Sequence, residues 1–357
     1  MNFANRIDYL LLIPVFGLVG ISLSLIASTT PLLFTQQLIF IILGFVLYII
    51  FASIDFRVYP KFLWIFYTFS IILLLITFFG HEIRGSSRWI DLGWFRMQPS
   101  ELIKPFFIIM MATLFAEGKE NSIRIVNKPF LFFLPIIILI FKQPDLGNVL
   151  VYLFIFMVIT VVSGVPVGFI LTGLGGFSIL LPVAWTFLKQ YQKDRLLSFL
   201  DPHGDPIGAG YNALQAVIAI GSGQILGLGL GRGTQSHLLF LPEYHTDFVF
   251  ASIGEELGFL GGALVIIFYA ILLARILFIS SVQKNRFARI LSLGLFAQLF
   301  IQVFINIGMN LGILPITGIT LPLVSYGGSS IISTFISLGI AGNISRTARI
   351  QSPIVIK

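Results

Sequence analysis

Five ionisable side chains, Glu243, His245, Asp247, Glu255 and Glu256, fall within LPEYHTDFVFASIGEELGFLG (Leu241 to Gly261), in a chain that is otherwise mostly hydrocarbon. A carboxylate in such a place can take a proton from a reacting hydroxyl if it sits in a polar cleft beside the substrate. Asp247 follows Thr246 and precedes the apolar run Phe248 to Ile253, so it falls at or near the first turn of a helix. Free N–H groups and the helix dipole favour a carboxylate there, and a capping role alone would account for it. Its surroundings ask for more. Pro242, a preceding glycine-rich segment with an arginine, and acidic residues gathered at one membrane boundary suit a general base.

Four further polar groups stand out. RGSSRWIDLGWFRMQPSELIK runs from Arg84 to Lys104. Pro99 suits the first position of a helix, which puts Glu101 and Lys104 at i, i+3 on one face, already within the membrane. Such a pair either locks two helices or works in a site, with Lys104 meeting a phosphate and Glu101 orienting it or a metal. KQPDLGN, Lys142 to Asn148, is a polar break between apolar runs; a tight turn capped by Asp145 would explain it equally well. GSGQILGLGLGRG, Gly221 to Gly233, holds six glycines and Arg232. Glycines let backbone N–H groups face an anion and Arg232 could complete a pyrophosphate site, but in membranes glycine more often serves close packing. NIGMNLGILPITGITLPLVSYGGSS, Asn306 to Ser330, breaks a helix pair at Pro315, Gly318 and Pro322 and offers the hydroxyls of Ser325 and Tyr326; bent helix ends alone would look the same.

The elements that must position these groups are membrane helices. At 57% hydrophobic and 10% charged residues, with a mean hydropathy of +0.99, the chain lies far outside soluble composition. Apolar stretches near 10–28, 33–53, 62–80, 100–116, 129–142, 147–163, 166–188, 248–279, 288–309 and 323–345 are each read as a span. The expected fold is all-α: a polytopic membrane protein of about ten transmembrane helices in one integral domain, 1–357. The first apolar run, Leu10 to Ala27, is as long as a span and is taken as a retained helix.

With both termini cytoplasmic, the inner segments hold thirteen of the 22 basic residues and only four of the fifteen acidic ones, Asp8, Asp55, Glu117 and Glu120. The net charge of +7 is therefore read as topology, with no nucleic-acid partner. Tyr211 to Leu230 has no charge and could pass for an eleventh span, but a crossing there would invert every later loop against the charge rule. It is placed instead as a re-entrant or interfacial helix in a long extracytoplasmic loop, 189–246, between the seventh and eighth helices. Zero cysteines exclude disulfides, thiolate metal sites and a cysteine nucleophile.

Together, QPSELIK, KQPDLGN, GAGYNALQAVIAIGSG, LPEYHTDFVFASIGEELGFLG and LPITGITLPLVSYGGSS resemble the shape, elongation, division and sporulation (SEDS) family of bacterial cell-wall polymerases, over nearly the whole chain. GAGYN and GTQS bring it nearer the rod-shape (RodA) branch than the division (FtsW) branch. The resemblance implies a peptidoglycan glycosyltransferase of the bacterial cytoplasmic membrane. It would polymerise lipid II on the outer face, with a class B penicillin-binding protein as transpeptidase within the elongation machinery. The family's essential loop aspartate falls on Asp247, and its glutamate and lysine on Glu101 and Lys104. Trp89, Gln143, Asp145, Glu243, His245, Glu255, Ser325 and Tyr326 fall on recurrent motif positions. Asp247 is then the base, and Lys104 with Arg84, Arg88 or Arg232 stabilises the leaving pyrophosphate. No cofactor is evident, with room left for a divalent cation, magnesium or manganese, whose ligands are unknown. A lipid II flippase or transporter, an FtsW-type polymerase and a non-enzymatic scaffold are the alternatives.

Overall fold

The computed structural model describes residues 8–80, 88–118, 123–201 and 208–351. In a hydrocarbon solvent every backbone N–H and C=O must find a partner within the protein, so apolar runs of this length become helices. They do so as α1 (Tyr9–Thr29), α2 (Pro31–Ser53) and, after a 3₁₀ turn, α3 (Leu63–Ile76). A two-residue hairpin follows, β1 (Ile90–Asp91) against β2 (Arg96–Met97), with Ile90 opposite Met97. Then come α4 (Pro99–Leu102), α5 (Lys104–Glu117), α6 (Asn127–Lys142), α7 (Leu146–Val162) and α8 (Val167–Phe187). The long loop carries α9 (Gln190–Leu200), α10 (Ala209–Ser222) and α11 (Thr234–His237). The chain closes with α12 (Val249–Ser281), α13 (Arg286–Asn310) and α14 (Gly328–Gln351). Helices thus cover the apolar stretches read from sequence. Among the described residues, five segments are long and apolar enough to cross a bilayer by length and composition: α1, α2, Phe56–Phe79, α12 and α13. The small hairpin was not expected. Its turn rests on Gly93 at φ +88, whose N–H donates to Asp91 Oδ1 at 2.8 Å.

α13 is the central post, packed on α5, α7, α12 and α14, while α2 lies along α14 and α1 along α12. A single apolar core runs through these helices, and a smaller one, built on Ala216, Ala219, Leu241, Phe248, Ala251 and Met309, seats α10. At the end where the chain begins, Arg275 holds Asp8 through Nε and Nη2 at 2.8–3.1 Å and ties α12 to α1. The polar groups of interest gather at the other end.

α12 is interrupted. Gly258 takes φ +66, ψ −165, and the glycine-rich segment fills the gap. Leu228 and Gly229 donate to the carbonyls of Glu255 and Glu256 at 3.0 Å, and Phe259 donates to Gln224 at 2.8 Å. Backbone lying on backbone requires residues without side chains: a Cβ on Gly223 would fall 1.9 Å from the Gly254 oxygen, and one on Gly227, itself at φ +84, 2.2 Å from that of Glu256. Close packing is therefore what Gly223 and Gly227 serve. Gly227→Ala is expected to destabilise the fold by more than the roughly 1–3 kcal/mol of a left-handed non-glycine residue, because the collision adds to it. A melting temperature in detergent equal to that of the parent would contradict this packing.

Candidate active site

At the polar end of the bundle lies an open cleft of about 1330 Å³, lined by Arg88, Trp89, Glu101, Arg195, Glu243, His245, Asp247 and Tyr326 among others. Asp247 reaches it from the turn just before α12. The N-cap residue of that helix is Phe248, which makes no side-chain cap, and the N–H of Ala251 in the first turn donates instead to Asn310 Oδ1 at 2.9 Å. The first turn is thus capped across space by α13. The backbone of Asp247 is also clamped, since Asn306 Nδ2 and Asn310 Nδ2 both donate to its carbonyl, at 2.9 and 3.0 Å. Its carboxylate stands against Gly318: a Cβ there would lie 3.3 Å from Asp247 Oδ2 and 3.5 Å from Arg195 Nη1. One bare glycine, at φ +72, makes room for both charges. Burial pulls the Arg195 pKa down from the ordinary arginine value, while Asp247 works to hold the charge in place.

A second cluster closes the cleft floor. Asp145 caps α7 by accepting from Asn148 N at 3.3 Å, and its Oδ2 accepts from Gln98 Nε2, Ser100 Oγ and Asn148 Nδ2 at 2.8–3.0 Å. Arg88 Nη1 lies 3.6 Å from Oδ1. Burial alone would push the Asp145 carboxyl up, but Arg88 and the hydrogen bonds from Asn148 and Ser100 outweigh it and hold the pKa below the usual value. Cap and charge partner are here one residue. Beside it, Lys104 Nζ donates to Glu101 Oε1 at 2.6 Å, and Gln302 Nε2 to Oε2 at 3.3 Å.

On the opposite wall, the His245 ring stands between Tyr244 and Tyr326, with centroids at 5.0 and 5.8 Å. Burial lowers its pKa below the ordinary histidine value against the opposing pull of Glu243, and its buried Nδ1 has no partner among the described residues. Tyr326 hydrogen-bonds through its hydroxyl to Gln36, and its N–H donates to the His245 carbonyl at 2.8 Å. Glu243, at φ +52, accepts from Thr246 Oγ1 at 3.2 Å.

Not every sequence candidate reaches the cleft. Lys104 is fully buried, paired with Glu101 at 2.6 Å, and lies outside the cleft lining. Gln143 points away and donates to the Leu74 carbonyl at 3.0 Å, which fastens the 142–145 turn to α3. Glu255 is buried in the broken part of α12, where it accepts from Gln235 N, Ser236 N and Ser236 Oγ at 2.7–3.2 Å and holds α11. Ser325 is a tie, donating to the Thr246 carbonyl at 2.6 Å and accepting from Leu321 N at 2.8 Å. Arg232 is exposed on the glycine-rich loop and lies outside the cleft lining. Arg84 falls outside the described residues.

The geometry can be set beside known proteins. The FtsW/RodA/SpoVE model, described as cell cycle protein, matches residues 4–350. The chain belongs to the FtsW/RodA/SpoVE family. Within it, the chain is 39% identical over 312 residues to the peptidoglycan glycosyltransferase MrdB of Escherichia coli K12, a match covering 85% of this chain and 83% of MrdB. It is 34% identical to stage V sporulation protein E of Bacillus subtilis, over 88% and 87% of the two chains. Among solved structures it is similar to a chain described under structural coordination of polymerization and crosslinking by a peptidoglycan synthase complex (TM-score 0.81, 32% identity, 96% of this chain and 98% of that one). It is also similar to the rod shape determining protein RodA of Thermus thermophilus (TM-score 0.71, 29% identity, 95% and 96%).

Some residues that sequence reasoning missed lie at or beside the cleft. Arg195 sits in QYQKDRLL, a short charged run that reads as any loop helix, and only α9 folding over the cleft brings it to Asp247. Asn306 and Asn310 were legible as an i, i+4 pair on α13, yet nothing in that spacing says which carbonyl they hold. Among the described residues no three acidic, histidine or cysteine side chains converge to hold an ion.

Proposed function

We infer that this chain is a peptidoglycan glycosyltransferase of cell elongation, a multi-pass protein of the bacterial cytoplasmic membrane that polymerises lipid II beside a class B penicillin-binding protein. The observation that carries the chemistry is the juxtaposition of Asp247 and Arg195 around Gly318 in a cleft large enough for a lipid-linked saccharide. Asp247 takes the proton of the acceptor's sugar hydroxyl as that oxygen bonds to the anomeric carbon of the donor. The bond from that carbon to the pyrophosphate breaks in the same step, and the electron pair leaves with undecaprenyl pyrophosphate. Arg195 and Arg88 face the charge that develops there. Attack opposite an α-linked pyrophosphate gives a β-linked glycan by inversion, with no covalent enzyme intermediate.

The clamp on the Asp247 backbone gives a further expectation. Asn310→Ala strips a donor from that carbonyl and an acceptor from the Ala251 N–H, at a cost of about 1–3 kcal/mol for each buried group left unpaired. Turnover is expected to fall while lipid II binding holds; a variant with parental turnover would mean that the clamp does not position the base.

The finer topology belongs to the same proposal: ten crossings, both termini inside, and the cleft outside. α10 ends at Ser222. Its chain then turns into the gap in α12 instead of continuing, which supports a loop that begins and ends on one side. The parent has no cysteine, so Gln190→Cys and Arg232→Cys, both at exposed positions flanking α10, report the sides directly. Both are expected to react with an impermeant thiol reagent in intact spheroplasts; reaction of only the first would mean that α10 crosses and that the cleft faces inward.

A further inference from the structure

We propose that a small apolar cavity behind Arg195, between α9, α10 and the loop after α13, takes the first isoprene units of one polyprenyl-pyrophosphate substrate while its phosphates stay in the polar cleft. This rests on the polymerase function proposed above and extends it to how a substrate tail is held. The cavity measures about 200 Å³ and is walled by Phe199 of α9, Ala213 and Val217 of α10, and Leu314 of the loop. Arg195 and Ser198 line both this cavity and the cleft, so the two spaces meet across those side chains. A substrate in which an anionic group is joined directly to branched hydrocarbon needs such an arrangement: a cation at the neck and apolar walls beyond it.

The size limits the occupant. At about 200 Å³ the space is of the order of apolar cavities that take a small hydrocarbon, enough for a short stretch of isoprenoid. Its walls offer little to hydrogen-bond, so water gains nothing there and hydrocarbon does. The rest of the chain has a path outward, because the rim continues onto Val217, Leu311 and Ile313, which are 46%, 41% and 64% exposed. A plugging side chain from a partner protein would also suit apolar walls. It would leave unexplained why a guanidinium that faces Asp247 is shared with the cavity.

The test uses the full chain in membranes with its class B penicillin-binding protein and two lipid II analogues, one with a diazirine on the isoprene next to the pyrophosphate and one with it near the far end. The near probe is expected to label residues 213–217 or 311–316, and the far probe to label elsewhere. Ala213→Phe, which fills the cavity, is expected to raise KM for lipid II about tenfold or more with kcat largely kept, and to abolish the near-probe label. Near-probe labelling confined to other helices or to the partner protein, in wild type that polymerises, would overturn the proposal. So would an Ala213→Phe variant with unchanged KM and labelling. If Ala213→Phe fails to fold, the wild-type label alone decides. A wild-type protein that neither binds nor polymerises lipid II would instead sink the polymerase function, and this proposal with it.

Discussion

Asp247→Asn is expected to abolish polymerisation, lowering the rate by about 10²–10⁴, while the protein folds and binds lipid II as before. The swap keeps the size of the side chain and removes the proton acceptor. The backbone duties at this turn lie on other atoms, while the carboxylate also faces Arg195. The first turn of α12 is capped by Asn310 Oδ1, and what Asn306 and Asn310 hold is the Asp247 carbonyl, which asparagine also has. Loss of activity with an unchanged melting temperature and parental lipid II binding is the result expected of a base, since a displaced Arg195 would weaken binding as well. Parental turnover in the purified variant would leave Asp247 without a chemical role.

The second large effect concerns the Glu101–Lys104 pair. Both side chains are nearly or fully buried, and removing one partner leaves the other charged away from water, a cost of about 3–5 kcal/mol. Lys104→Ala and Glu101→Ala are each expected to destabilise the bundle by this order. The double substitution Glu101→Gln with Lys104→Met removes both charges at similar volume and is expected to restore most of the stability. It should not restore activity if the Glu101 carboxylate, which reaches the cleft, is needed there. Thermal melts and turnover of the three variants separate the outcomes; a fully active double variant would reduce the pair to a helix lock.

Much of this could be read in advance because a bilayer imposes a simple code. Long apolar runs must be helices, and an ionisable group near hydrocarbon must have a reason to be there. Glu101, Asp145 and Asp247 were visible on those grounds, and the structure brings Glu101 and Asp247 to the lining of one cleft with Asp145 bound to Arg88 beneath. What the code does not specify is direction. Lys104 and Glu101 share a helix face, but which of them meets the cleft depends on the turn at Ile103, where α4 ends and α5 begins. Glu255 and Glu256 looked like parts of the same acidic cluster as Asp247. The break at Gly258 and the glycine backbone lodged in it turn them instead toward α11 and Ser28, as acceptors of fixed hydrogen bonds. Glycine spacing cannot distinguish a cradle for an anion from a cradle for another stretch of backbone, so it does not say whether Arg232, which lies outside the cleft lining, belongs with the site. Arg195 went unseen for the converse reason: it reaches Asp247 only through the fold of a long loop, and local sequence carries no mark of that contact.

The most direct measurement is a gel of labelled lipid II incubated with the purified chain and its class B penicillin-binding protein, with the transpeptidase blocked by a β-lactam so that polymer length reports glycan synthesis alone. A ladder of uncross-linked glycan strands is expected from the wild-type chain and none from Asp247→Asn at equal amounts of folded protein. Lipid II left unpolymerised by the wild type but carried across reconstituted vesicles would contradict the assignment and make the protein a transporter.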